Sequence, residues 1–172
     1  MKSRLSERQI KTFRTKIWEH YKNHKRNFPW RRTKNAYRIL VSEIMLQQTQ
    51  APRVVGKYRS FIKRFPNFST LSKASLGDVL KEWQGLGYNR RAKMLWQLAQ
   101  IIVREYKGRL PEAQETLLKL PGIGKATAAA IRVFAFNKPS VYLETNVRTV
   151  YIHEFFSNKA SVSDLEIIPL IQ

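Results

Sequence analysis

The sextet Leu120-Pro121-Gly122-Ile123-Gly124-Lys125 is the clearest place where residue types and spacing could do chemistry. Two glycines one residue apart permit backbone conformations closed to other residues and let another chain come close with no side chain between. The turn opens into a helix start, whose free amides and dipole suit a phosphate oxygen, and Lys125 adds positive charge there. A lone Gly-x-Gly would be an ordinary connection between two helices. Here flanking leucines precede it, and Ala126, Ala128, Ala129 and Ala130 keep the following helix slim. The segment therefore reads as a helix–hairpin–helix grip on a phosphate backbone.

Net charge points the same way. The 172 residues carry 32 Lys and Arg against 12 Asp and Glu, a formal charge of +20. That excess suits a polyanionic partner, with nucleic acid first. A hydrophobic share of 43% excludes a disordered basic tail. Zero cysteine excludes disulfides, thiolate zinc sites, iron–sulfur ligation and cysteine nucleophiles within this chain. His20, His24 and His153 lack metal-ligand spacing and read as structural. No apolar run has the length of a membrane span, and the polar start, Met1 to Ile10, is no signal peptide. An intracellular, DNA-associated protein of the cytoplasm or nucleoid is expected.

Among the few acids, Glu43 stands out because its helical neighbours Ile39, Leu40 and Leu46 are apolar. Desolvation there would favour the protonated, proton-donating carboxyl; a solvated glutamate on an amphipathic helix is the competing reading. Glu144 precedes a later helix, where an acid caps the first turn and compensates the dipole. Arg90, Arg91 and Lys93 begin another helix and either meet phosphates or stay solvated.

The elements that would position these groups are helical nearly throughout. Ile10, Phe13, Ile17, Trp18 and Tyr21 recur at three- and four-residue steps. A basic loop, 24–35, follows and contains the stiff Phe28-Pro29-Trp30-Arg31. Further helices are expected from Tyr37 to Ile44, Val54 to Phe65, Leu76 to Trp83, Arg90 to Tyr106 and Ala126 to Phe136. Pro111 is expected at a helix start, with Glu112 and Glu115 near its positive end. Glu144 or Thr145 caps a helix carrying Val147, Val150, Tyr151 and Phe155. The fold class is all-α. Ser163-Asp164-Leu165-Glu166 reads as the opening turn of one more helix, so the C-terminus is expected to be truncated.

From Phe28 to about Phe155 the chain resembles the helix–hairpin–helix DNA glycosylases of base excision repair. Within them it is most similar to the A/G-specific adenine glycosylases, the MutY-like branch. The matching stretches are Phe28-Pro29-Trp30-Arg31, Ser42-Glu43-Ile44-Met45-Leu46-Gln47-Gln48-Thr49-Gln50, Gly85-Leu86-Gly87-Tyr88, the hairpin, and Glu144-Thr145-Asn146-Val147-Arg148. The Met-Leu-Gln-Gln-Thr-Gln run is specific to that branch. The resemblance implies two lobes with the active site in the cleft between them. Residues 36–135 would form a six-helix lobe containing the hairpin at 117–130. Residues 1–35 and 136–172 would form the second lobe.

The chemistry implied is hydrolysis of the N-glycosidic bond of a flipped base, which needs an acid near the base and a carboxylate near the sugar. By the resemblance, Glu43 protonates a ring nitrogen of adenine. Glu144 stands where the family ordinarily has aspartate, stabilising the oxocarbenium-like sugar and helping water attack; its extra methylene matters, because a displacement of about 1 Å can cost around a hundredfold in rate. Asn146 orients that carboxylate. Taken alone, Tyr88 reads as a packed tyrosine and Gln47 and Gln48 as helix surface. The resemblance makes them wedge residues that fill the gap left by the flipped nucleotide, with Leu46 as an apolar plug. Trp30 and Arg31 match the loop that contacts the extruded base, and Gly122, Gly124 and Lys125 the backbone grip. Ala126 occupies the position of the lysine that forms a Schiff base in the lyase members, so a monofunctional hydrolase follows. Adenine glycosylases often have serine or tyrosine there, and thymine-mismatch relatives tyrosine.

Most adenine glycosylases carry a four-cysteine iron–sulfur cluster, and many a domain for oxidised guanine, beyond the matching region. No cofactor is expected in this chain, apart from a monovalent cation on the carbonyls of Leu118, Leu120 and Ile123. The expected partner is double-stranded DNA with a mispaired or damaged base, bound by a monomer. Three readings stay open: adenine opposite guanine or oxidised guanine, thymine or uracil opposite guanine, and a non-catalytic DNA-binding module. All three require that affinity for duplex DNA fall by roughly tenfold or more between about 50 and 200 mM salt, because phosphate contacts release counterions. A flat salt response in a fluorescence-anisotropy titration would contradict the role given to the basic surface.

Overall fold

Helices start where a side chain can cap them. The computed structural model describes residues 5–171, and half of its ten α-helices have such a cap. Ser6 and Gln9 form a capping box that opens α1 (Glu7–His24). Asn35 caps α2 (Ala36–Leu46), Asn67 caps α4 (Phe68–Lys73), Ser75 caps α5 (Leu76–Trp83), and Glu144 caps α9 (Thr145–Phe155). The others are α3 (Ala51–Arg64), α6 (Arg90–Glu105), α7 (Gln114–Leu118), α8 (Lys125–Phe136) and α10 (Asp164–Ile171). Pro29–Arg32 forms a short 3-10 turn. Among the described residues there is no strand.

Two expectations need correcting. Pro111 does not start a helix: α7 begins at Gln114, and Glu112 instead pairs with Lys138 at 2.5 Å while its carbonyl takes a bond from Arg132. The second is α4, which the periodicity did not announce, because six residues offer only Phe68 and Leu71 to the core.

The chain divides into two compact units, Phe28–Ser140 and the flanking segments up to Asn27 and from Val141. In the larger unit, α2 lies against α3, α6 and α8, while α4 and α5 pack on α6 and α7 on α8. Leu40, Val41, Ile44, Met45, Phe61, Trp83, Leu95, Leu98, Leu117 and Ile131 are buried in one cluster. Phe61 is fully buried in it, edge-on to Phe65 at 5.0 Å and to Trp83 at 5.9 Å. The Tyr37 hydroxyl donates to the Phe65 carbonyl at 2.6 Å, and burial pushes this phenol well above its ordinary pKa, so it stays a neutral donor.

The smaller unit uses aromatic and ionic contacts. Phe13 of α1 meets Tyr151 and Phe155 of α9 at 5.3 and 5.0 Å, and Lys16 pairs with Glu154 at 2.7 Å. Arg148 joins α9 to Asp164, the first residue of α10 (2.9 Å), and to the Val162 carbonyl just before it. Bonds from Lys159 and Ser163 hold the Glu166 carboxyl down to about 2.

Phe61→Ala should destabilise the larger unit by about 3–5 kcal/mol, the usual cost of deleting a fully buried ring. Urea unfolding followed by circular dichroism measures it. A loss below about 1 kcal/mol would mean that the cluster is not the core of this unit.

Candidate active site

Helix α2 delivers the first carboxylate. Ile39, Leu40, Ile44 and Met45 are buried and fix the helix in the larger unit, and Glu43 lies half-buried between buried Ser42 and Ile44. The helix ends at Leu46, which packs partly against the core. The chain then turns sharply, with Gln48 at φ +53°. The two glutamines take different directions. Gln48 is exposed, whereas the Gln47 amide is turned onto the hairpin and donates to Thr127 Oγ1 at 3.2 Å and to the Gly122 carbonyl at 3.4 Å. Gln48 is thus the solvent-facing glutamine, and Gln47 ties its segment to the hairpin.

The second turn, Gly85 to Tyr88, lies beside it. Gly85 and Gly87 have φ of +90° and +73°, and Tyr88 itself is held at +50° and is 62% exposed. A non-glycine residue in this region is strained and persists only where its surroundings over-determine it. What over-determines both turns is Arg91. Its side chain is not a surface phosphate contact but is buried at 8% exposure. One terminal nitrogen donates to the carbonyls of Ile44 and Met45 at 3.0 Å and to that of Gln47. The other reaches Thr49 Oγ1 at 3.1 Å and the carbonyls of Leu86 and Gly87 at 3.3 and 3.2 Å. Burial lowers the guanidinium pKa from its ordinary value. The sequence did contain a signal: Arg91 shares a helical stripe with buried Leu95, Leu98 and Ile102.

In the hairpin, Leu120 and Ile123 are buried anchors, and Gly122 is left-handed at φ +79°. A Cβ on Gly122 would come within 3.2 Å of Met94 Cβ, so this position packs as well as turns. A Cβ on Gly124 would meet nothing within 4 Å, which leaves the start of α8 open to an approaching group. No side chain caps that helix start, and Lys125 and Ala126 are exposed on it. Buried Ala128, Ala129 and Ala130 let α8 lie close to α2. Of the three hairpin carbonyls expected to suit a cation, that of Leu120 accepts the Ile123 amide at 3.3 Å. Among the described residues no group of three or more His, Cys, Asp or Glu could hold a metal ion. These 172 residues also supply no thiolate for an iron–sulfur cluster.

Trp30 is mostly core. It is 8% exposed, stacked on Phe28 at 4.9 Å and edge-on to Tyr58 at 5.4 Å. Arg31 is exposed, with its guanidinium 5.6 Å from the Phe28 ring centre.

Glu144 and Asn146 belong to the smaller unit. One Glu144 oxygen accepts the Val147 amide at 2.9 Å, as an N-cap does, and the other accepts from the Asn146 side chain at 3.1 Å. Both oxygens therefore have a partner, and the carboxylate is fixed in direction by its own helix.

Comparison with known proteins places this arrangement. A family model described as "HhH-GPD superfamily base excision DNA repair protein" matches residues 41–167. An adenine DNA glycosylase of Buchnera aphidicola subsp. Baizongia pistaciae is 44% identical over 141 residues, which are 82% of this chain and 40% of that protein. The human adenine DNA glycosylase is 37% identical, over 83% of this chain and 28% of its own length. The chain thus spans well under half the length of these curated relatives. Among solved structures, a thermostable thymine-DNA glycosylase superposes with a TM-score of 0.79 at 33% identity, covering 84% of this chain and 67% of that one. A non-covalent endonuclease III–DNA complex gives the same TM-score at 20% identity, covering 95% and 75%, which speaks for the fold.

The capping role of Glu144 can be tested by substitution. Glu144→Ala should lose about 1 kcal/mol of stability with the cap, whereas Glu144→Gln keeps a carbonyl oxygen for the Val147 amide and should stay within roughly 0.5 kcal/mol of the parent. Denaturant unfolding of the two variants decides this. A Glu144→Ala variant as stable as the parent would mean that the cap contributes nothing.

Proposed function

Because the chain belongs to the HhH-GPD superfamily of base excision DNA repair proteins, we propose that it hydrolyses the N-glycosidic bond of a mispaired adenine flipped out of duplex DNA. The observation that carries this reading is the tie between α2 and the hairpin. Gln47 and Arg91 hold Glu43's helix, the Gln48 turn, the Tyr88 turn and the hairpin in one assembly. The adenine DNA glycosylases at 37–44% identity support adenine as the base.

The open start of α8 takes a backbone phosphate on its leading amides, with Lys125 beside it. The carbonyls of Leu118, Leu120 and Ile123 would hold a monovalent cation under that phosphate. Gln48 and Tyr88 fill the gap in the stack, with Leu46 behind them. Arg31 meets the extruded base, and the Trp30 ring supports that loop from the core. Protonated Glu43 gives its proton to a ring nitrogen of adenine as the bond from that base to the sugar C1′ breaks. The Glu144 carboxylate, steadied by Asn146, stabilises the cationic sugar and directs water onto it. Water supplies hydroxyl to C1′ and its remaining proton to the carboxylate, leaving free adenine and an abasic site. Ala126 offers no amine for a Schiff base, so the reaction stops there without strand cleavage.

A second reading, thymine or uracil opposite guanine, draws on the similarity to the thermostable thymine-DNA glycosylase. Labelled duplexes carrying each mispair, treated with the protein and then with alkali, separate the two. Strand breaks only at adenine opposite guanine or oxidised guanine are expected, and none before alkali. Breaks only at thymine or uracil would establish the second reading, and no breaks despite tight binding would leave a DNA clamp without chemistry. Glu43→Gln and Glu144→Gln should each lower the single-turnover rate by about a hundredfold or more while changing affinity little. A variant that keeps the parent rate would remove that residue from the mechanism.

A further inference from the structure

We propose that Arg91 is a positioning residue that locks the 47–49 and 86–88 turns into one fixed relation, so that Gln48 and Tyr88 meet the duplex as a pair. The inference rests on the reading of those two residues as the wedge. In a chain with 32 Lys and Arg, Arg91 is the one buried charged residue among those described. No carboxylate accompanies it. Its charge is met instead by five backbone carbonyls and one hydroxyl, six contacts shared over four N–H groups of the two terminal nitrogens. Its Nε is buried without a partner. Burying a guanidinium in this way is costly, so simple packing is a poor account of it.

The placement of the bonds explains the choice of residue. Carbonyls of Ile44, Met45 and Gln47 are orphan acceptors at the end of α2, where the helix dipole also favours a cation. Those of Leu86 and Gly87 belong to the other turn. Each wedge residue directly follows a gripped carbonyl, Gln48 after Gln47 and Tyr88 after Gly87, and each has a left-handed φ. The guanidinium also lies 5.3 Å from the Tyr88 ring centre and 5.6 Å from that of Trp83, supporting the exposed ring from beneath. A planar fork spans both turns; the compact ammonium of lysine does not.

The test compares the full chain with Arg91→Lys and Arg91→Met by hydrogen exchange, by 2-aminopurine fluorescence in a mispaired duplex, and by anisotropy. Amide exchange should quicken tenfold or more in 46–50 and 86–89 together and stay unchanged elsewhere. Base unstacking and the single-turnover rate should fall at least tenfold while Kd moves less than threefold, and lysine should not rescue. Tyr88→Ala combined with Arg91→Lys should be no slower than Tyr88→Ala alone, since both act on one wedge. Parent-like exchange, quickening in only one turn, or quickening throughout the chain would each overturn the proposal. So would a loss of affinity as large as the loss of rate, which would make Arg91 a phosphate contact. Should Arg91→Met not fold, Arg91→Lys and Thr49→Val carry the same exchange test. If the parent protein releases no base from any duplex, the glycosylase reading fails, while the exchange data still decide the role of Arg91.

Discussion

A guanidinium without a carboxylate is the constraint on which the larger unit depends. Helix α2 needs its C-terminal carbonyls satisfied, and neither a left-handed glycine nor solvent does so; Arg91 does. The same group then dictates where the next turn must lie, because its remaining donors end on Leu86 and Gly87. The hairpin is fastened to this knot from the opposite side by the Gln47 amide. Three segments separated by up to 80 residues are thus held by two polar side chains set at the edge of an apolar cluster. Apolar packing brings the helices together, and the directional bonds set their register.

Much of this architecture is legible from spacing. Ile10, Phe13, Ile17, Trp18 and Tyr21 at three- and four-residue steps announce α1, and Glu144 ahead of Val147 and Val150 announces the start of α9. The hairpin is announced by Gly122 and Gly124. Where reading by pattern fails, the cause is specific. Helix α4 is too short for periodicity to rise above its serine-rich surroundings. Pro111 suits a helix start, but the fold uses it in the extended approach to α7. Arg91 sits between Arg90 and Lys93, and a run of cations suggests solvent; only its register with Leu95, Leu98 and Ile102 betrays that it points inward.

The candidate site divides along similar lines. Of the residues singled out by resemblance, Glu43 is half-buried on α2, and Gln48 and Tyr88 are exposed on turns. Gln47 and Trp30 are spent largely on structure, one on the hairpin and one in the aromatic packing around Phe28 and Tyr58. No pattern in one dimension distinguishes a glutamine that reaches outward from its neighbour that reaches back. That distinction arises from the reversal of backbone hand at Gln48.

Glu144 carries a different lesson. Its two oxygens are anchored by Val147 and Asn146, both within three residues of it in the chain. A group tethered so locally has little rotamer freedom left to lose, so its orientation is settled during folding rather than at encounter. Flexibility elsewhere can therefore vary without blurring this side chain. The same economy has a drawback, because truncating that one acid would loosen the first turn of its helix as well as take away its charge.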